Sequence, residues 1–199
     1  MEPEDLAPGG LRPEQVGQRR AAATDSLVRA ARPWRDKPRP EEPDGPRLVI
    51  FAPRDGLAAY APDPAAAEEV VAAGTPHLYA GVVEATGFVG PLVRPGATGC
   101  AGCLLRARAQ REPCWPLLVA QWRNGRRPGV PSCDGALATA VAGMTACAAL
   151  AHLDGSASHS SSTRTELTLP GLAVTHQTIE PHAECPCGAA DAARTARSP

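Results

Sequence analysis

Cys100 and Cys103, in C-A-G-C, and Cys185 and Cys187, in C-P-C, constrain this 199-residue chain more than any other feature. Neither pair can enclose a metal ion alone. Together they offer four thiolates, the ligand set of a tetrahedral structural zinc with Zn–S bonds of about 2.3 Å. A metal held this way ties the end of the chain to its middle, so the segment between the pairs has to fold as one body. Other uses of the cysteines compete with this one. A lone C-x-x-C can be a thioredoxin-like redox pair, although Gly99 stands where such motifs usually carry an aromatic residue. Disulfides are a second alternative. The chain opens Met-Glu-Pro-Glu-Asp with neither a basic nor an apolar segment, so a cytoplasmic, reducing location is expected, where disulfides are rare. Remnants of a lost site are a third. The C-P-C spacing is tighter than the common C-x-x-C, and His182, three residues before Cys185, is a candidate substitute ligand or a neighbour of the site.

The apolar fraction of 43% suffices for a core, but with 4% aromatics that core must be built from Ala, Val and Leu. A net charge of −1 gives no electrostatic reason to expect nucleic acid or an anionic membrane as partner. Lys37 is the only lysine and sits in R-D-K-P-R-P with no glycine-rich loop before it, which excludes a Walker A phosphate loop. The most apolar stretch, Ala136–Leu153, holds two threonines, a glycine and a histidine, and reads as a buried core helix rather than a membrane span.

Along the chain, residues 1–12 and 189–199 are rich in Pro, Gly, Ala and charge and are expected to be disordered tails around one domain at 13–188. Pro13–Ala31 carries a helical pattern, with Val16, Ala21, Leu27, Val28 and Ala31 as its apolar positions. The proline-rich stretch 33–46 cannot hold a helix. Leu48–Ala52 reads as a buried, parallel strand, Pro64–Ala73 as a helix stopped by Gly74, and His77–Val83 and Phe88–Val93 as two further strands. Strand, helix and strand at this spacing make a βαβ unit, so the class is α/β. A polar helix at Leu104–Arg111, a short one at Trp115–Trp122 and a loop at 124–131 follow, and Asp134 can cap the alanine-rich helix. Glu166–Leu169 and Leu172–Ile179, around Pro170-Gly171, form a hairpin. Cys114 and Cys147 read as core-filling or incidental.

The series Gly87, Val89, Gly90, Pro91, Leu92, Val93, Pro95, Gly96, Thr98, Cys100, Cys103 and Leu104 spells G-x-V-G-P-L-V-x-P-G-x-T-x-C-x-x-C-L. This order resembles the ThiF/MoeB family of ubiquitin-activating-enzyme-like adenylyltransferases. It is most similar to the variants that accompany cyclodehydratases of thiazole- and oxazole-modified peptides, including bacteriocins. Val16-Gly17-Gln18-Arg19-Arg20-Ala21 looks like the start of the family's V-G-x-x-K-A helix, and Pro33 falls where that helix ends. Leu48–Ala52 is similar to the strand leading to the family's aspartate, and Cys133-Asp134-Gly135 to its C-x-x-G helix. Cys185-Pro186-Cys187-Gly188 matches its closing zinc pair, and the resemblance spans roughly residues 12 to 188. It implies a doubly wound, Rossmann-like sheet with a cysteine-bound zinc, and chemistry in which ATP adenylates a peptide's C-terminal carboxylate.

Departures from the pattern shape the functional expectation. No G-x-G-x-x-G turn follows a strand, since before Gln15 there is only Gly9-Gly10, and Gly96, Gly99 and Gly102 have the wrong spacing. The expected fold is therefore an incomplete ThiF-type sheet without the nucleotide-binding βαβ, closed by a C-terminal hairpin and a four-cysteine zinc staple. ATP and magnesium would be used only if the absent portion were supplied. Arg20 falls at the nucleotide-contacting lysine, Arg54 at the magnesium-binding aspartate, and Asp55 one residue late, leaving Arg20 and Asp55 as candidate cofactor contacts. Cys133, where some relatives carry a sulfur- or acyl-accepting cysteine, is the candidate nucleophile, although the adjacent Asp134 opposes its thiolate and a plain helix-start residue is the alternative. The sequence thus points to a scaffold that binds a leader peptide for a cyclodehydratase partner. The alternative is the C-terminal portion of an ATP-dependent adenylyltransferase. An open sheet of this kind needs a partner protein or a homodimer contact over its edge.

Overall fold

The computed structural model describes residues 10–31, 47–53, 56–125, 133–156 and 162–195. Two compact units divide the chain, Met1–Gly45 and Pro46–Pro199. In the first unit a 3-10 turn at Pro13–Gln15 precedes helix α1, Arg20–Ala30. The Gln15 side chain holds that corner. Its amide donates to the Ala23 carbonyl at 3.1 Å and its Oε1 accepts from the Arg12 N–H at 2.9 Å. The continuous helical pattern expected over 13–31 is broken because Gly17 takes φ +87°, a left-handed conformation that suits glycine. Ala23, not the expected apolar series, is the buried residue of α1.

The second unit carries strand β1 (Val49–Phe51), helix α2 (Gly56–Tyr60), a 3-10 turn (Pro64–Ala67) running into α3 (Glu68–Ala72), and strands β2 (His77–Val83) and β3 (Thr86–Val93). Helices α4 (Ala101–Arg111), α5 (Trp115–Asn124) and α6 (Gly135–Leu153), strands β4 (Thr163–Thr168) and β5 (Ala173–Thr178), and helix α7 (Ala189–Thr195) follow. The strands form one mixed sheet in the order β1-β2-β3-β4-β5. β1 pairs parallel with β2, as the βαβ reading requires, and the remaining pairs are antiparallel. Gly74 takes φ +65° and ends the α3 segment, and Pro170-Gly171 turns the β4–β5 hairpin.

Helices pack on both faces. The glycines of the central hairpin show how closely they approach. A Cβ at Gly81 of β2 would lie 2.5 Å from the Ala59 Cβ of α2. A Cβ at Gly87 of β3 would lie 2.4 Å from a Val141 methyl of α6. Leu137 and Val141 of α6 share a core with Ala80, Val89 and Leu167.

Several expectations are corrected. β1 is an edge strand among the described residues, and Ile50 is 45% exposed rather than buried. α6 buries only the stripe Leu137, Val141, Thr145 and Ala149, while Leu150 is 59% exposed, so it is not a fully buried core helix. By length and composition α6 is also long and apolar enough to cross a membrane. Residues 189–195, expected as tail, form α7 with Ala189 buried. Cys114 and Cys147 are exposed, which removes the core-filling alternative and leaves the incidental one.

Candidate metal centre

The region before α4 brings the first cysteine pair to a helix start. After β3 the chain passes through Gly96, at φ +73°, and Thr98, whose Oγ accepts from the Arg94 N–H at 2.8 Å. Gly99 follows, where a Cβ would lie 2.2 Å from the Ile179 carbonyl oxygen. Only glycine lets the two segments meet this closely, so Gly99 helps place the C-terminal segment over the α4 start. Cys100 is the N-cap residue of α4 and Cys103 lies in its first turn. From the other side, the chain after β5 turns through His182, whose carbonyl accepts from the Cys185 N–H at 2.9 Å.

The result is a cluster in which the four Sγ atoms lie within 4.8 Å of one another. Cys100 to Cys185 is 3.6 Å, Cys103 to Cys187 is 3.6 Å, and Cys100 to Cys103 is 3.8 Å. A regular tetrahedron with sulfurs about 2.3 Å from its centre has edges of about 3.8 Å. The cluster therefore has the donor type, number and spacing for a metal ion such as zinc. Cys100, Cys103 and Cys185 are buried and Cys187 is half-buried. They pack with Tyr79, Val93, Ala101, Leu104 and Ile179, and with Phe51 and Val71 at the border.

The sulfurs are electrostatically unequal. Cys103 accepts the Cys100 thiol hydrogen bond and a backbone N–H from His182 at 3.3 Å, and these hold its pKa well below the ordinary thiol range. Donating to Cys103, together with burial, pushes Cys100 up, and burial pushes Cys187 up. Four thiolates this close need a cation to offset their repulsion. Nearby, the Arg106 guanidinium reaches 3.9 Å from the Cys185 sulfur. Burial also raises the Tyr79 phenol.

The candidates named from sequence divide sharply. The four cysteines converge. His182 lies against them, but it contributes its backbone N–H to Cys103, and its Nδ1 accepts from the Glu184 N–H at 3.2 Å. Cys133 is exposed and pairs through a single parallel bridge with Glu84, away from the sulfur cluster in sequence and partners. Arg20 is exposed at the start of α1 in the first unit, and Arg54 and Asp55 lie outside the described residues.

Sequence reasoning passed over Arg164 of β4, which is 0% exposed. Its guanidinium lies 4.1 Å from the Phe88 ring centre, donates to the Ala59 and Tyr60 carbonyls at 3.3 and 3.0 Å, and pairs with Glu166 at 3.3 Å. Arg108 of α4 donates to the same Tyr60 carbonyl at 3.0 Å and stacks 4.5 Å above the Tyr60 ring. Burial pulls the Arg164 pKa down to about 10. The two arginines pin the end of α2 against the sheet. The polar alternation T-R-T-E-L-T was the available signal, but it reads as a solvated face.

The ThiF family matches residues 1–187 of this sequence. The chain belongs to the ThiF family. No curated protein matches it. Among solved structures, this ThiF-family chain is similar in fold to Escherichia coli MccB with AMPCPP and the peptide MccA, at TM-score 0.62 and 14% identity over 89% of this chain and 53% of that one. A heterocyclase in complex with substrate and cofactor is similar at TM-score 0.53 and 20% identity, covering 72% of this chain and 21% of the other. MccB with ATP is similar at TM-score 0.52 and 16% identity, covering 71% and 38%. The chain thus spans well under two thirds of the length of these neighbours, and at these identities the likeness establishes the fold.

Proposed function

We infer that this ThiF-family chain is a peptide-binding scaffold of ribosomal peptide modification, one that presents a precursor's leader peptide to a cyclodehydratase partner making azole or azoline rings. The observation that carries this reading is the charge following β1. Arg54 stands where the family resemblance places a magnesium-binding aspartate, and an arginine there repels a divalent cation. Arg20, in place of the nucleotide-contacting lysine, supports the same conclusion, because a guanidinium keeps the charge but not the compact shape of an ammonium. The fold neighbours crystallised with MccA peptides or with a heterocyclase substrate add a peptide as the class of partner. β1, an edge strand among the described residues, offers a surface that a partner protein or a second copy would cover.

The same reading includes a structural zinc on Cys100, Cys103, Cys185 and Cys187, in a cytoplasmic protein. The ion, when bound, would tie the segment after β5 to the start of α4. Structural zinc sites of this kind carry apparent binding energies of about 10–16 kcal/mol.

The test uses the purified full chain, a panel of synthetic leader peptides from azole-modified precursors, and Mg-ATP. Fluorescence anisotropy should show peptide binding, while ATP–pyrophosphate exchange stays at background with and without peptide. Peptide-stimulated exchange would overturn the scaffold in favour of an adenylyltransferase portion acting on a peptide C-terminal carboxylate. Absence of peptide binding would remove the peptide-binding role. Metal analysis separately tests the zinc, with one ion per chain expected and none in the Cys185→Ser/Cys187→Ser double variant.

A further inference from the structure

A cleft of about 510 Å³ opens directly onto the sulfur cluster. Its walls are Pro64, Glu68 and Val71 on one side and Cys100, Arg106 and Cys185 on the other, and Cys187 also lines it. Cys187 is the least buried of the four cysteines, whereas Cys103, 3.6 Å behind it, is 0% exposed. Two sulfur contacts join the α4 start to the C-terminal segment, Cys103 to Cys187 and Cys100 to Cys185, each at 3.6 Å. Contact within the first pair is longer, at 3.8 Å.

We propose that Cys187 is a hydroperoxide-reactive site through which the metal-loaded cluster is converted into two disulfides that cross between the segments, Cys103–Cys187 and Cys100–Cys185. This rests on the zinc reading above. In the first step the Cys187 sulfur attacks the peroxide O–O bond and is oxidised to a sulfenic acid, and the leaving hydroxide takes up a proton to become water. The Cys103 thiolate then attacks the Cys187 sulfur, forming the S–S bond and expelling a second hydroxide, which is protonated to water. Cys185 and Cys100 repeat the sequence with a second peroxide. Overall, one divalent metal ion bound by four thiolates, two hydrogen peroxide molecules and four protons give two disulfides, four waters and the released ion. Because the disulfides cross between segments, the join between α4 and the chain end outlasts the metal. Oxidation would change the charge and chemistry of the cleft without freeing the C-terminus.

The experiment uses the full chain loaded with zinc and treated with hydrogen peroxide, with a chromogenic chelator reading zinc release. No basic residue separates Cys100 from Cys103 or Cys185 from Cys187, so trypsin leaves each pair within one peptide. Crossed disulfides therefore appear as two peptides joined under non-reducing conditions. The expected result is one zinc released per chain, in step with the joined species. Filling the cleft with the exposed Ala72→Phe should slow release roughly fivefold while leaving the zinc content unchanged, as access governs thiol oxidation. Zinc retained while the exposed Cys114, Cys133 or Cys147 oxidise would overturn the proposal, as would disulfides formed only within each peptide. A chain that never loads zinc fails at the loading step and refutes the zinc reading itself, so the two failures are distinguishable.

Discussion

Three of the described helices start beside a cysteine, and two of those starts, at α4 and α6, have opposite chemistry. At α4 the N-cap is Cys100 itself, which makes no side-chain cap bond to the helix and turns instead toward three other sulfurs in a buried shell. At α6 the cysteine is one position earlier. The cap is Asp134, whose carboxylate accepts from the Leu137 N–H at 2.8 Å and leaves Cys133 in solvent. A helix N-terminus favours negative charge in both places. At α4 that charge is to be supplied by thiolates, and at α6 a carboxylate already supplies it. A cysteine near a helix start is therefore no sign of sulfur chemistry until its neighbours are known. This is why four residues of one kind form a candidate centre while a fifth does not.

The contrast is broken most severely by removing one sulfur from each site. Cys103→Ser should abolish stoichiometric zinc binding and lower the thermal midpoint of the metal-loaded protein to that of the chelator-treated protein. The loss can amount to much of the roughly 10–16 kcal/mol of apparent binding energy such sites supply. Cys133→Ser should change stability by no more than about 0.5 kcal/mol, as an exposed substitution away from any packed feature. Equal effects of the two in thermal denaturation would erase the distinction. A second pair tests the backbone. Gly99→Ala puts a methyl into the Ile179 carbonyl, and relieving that contact should cost about 2–3 kcal/mol and weaken zinc binding. Gly135→Ala, in the first turn of α6 with open space around it, should be neutral or stabilise by about 0.5–1 kcal/mol.

The sequence made one of these starts legible and half-described the other. Asp134 was readable as a cap because a short polar side chain stood directly before a long, uncharged, alanine-rich run. The sulfur cluster was readable because C-x-x-C and C-P-C have few structural reasons to occur together. What the sequence hid is mostly what packing decides. Helix α2 is only five residues long and owes its place to Ala59 lying over Gly81 and to two arginines holding its last carbonyls. Nothing local in G-L-A-A-Y announces it. The one-sided burial of α6 was hidden because its sequence from Gly135 to Ala151 carries no charged residue to mark an outer face. Arg164 was hidden because an arginine in a polar alternation is usually solvated, and the carbonyls at the end of α2, the Glu166 carboxylate and the Phe88 ring together make its burial tolerable.

A smaller effect separates the capping roles. Asp134→Ala should cost about 1 kcal/mol by leaving the Leu137 N–H without its acceptor. Unfolding in urea reads the loss, and an unchanged midpoint would remove the capping role of Asp134.

The smallest expected effect is a pH dependence confined to the α4 side of the molecule. His77 opens β2 and is wholly buried, edge-on to Phe51 and Tyr79 at the border of the sulfur shell. Its Nδ1 faces the Thr75 carbonyl at 3.2 Å. Burial lowers its pKa from 6.5, with the Thr75 contact acting weakly in the other direction. The unfolded chain then binds a proton at a pH where the folded one does not, so stability is unaffected well above 6.5 and falls as the pH drops through 6.5 toward the lower folded value. The sheet-facing stripe of α6, Leu137, Val141, Thr145 and Ala149, has no titratable group and adds nothing in this window. Metal-free protein should be used, because protonation of zinc-bound thiolates would add its own loss on acidification. Urea midpoints at about pH 7.5 and about pH 5.5 should differ in the parent chain and converge in His77→Phe, and an unchanged difference in the variant would assign the acid sensitivity elsewhere.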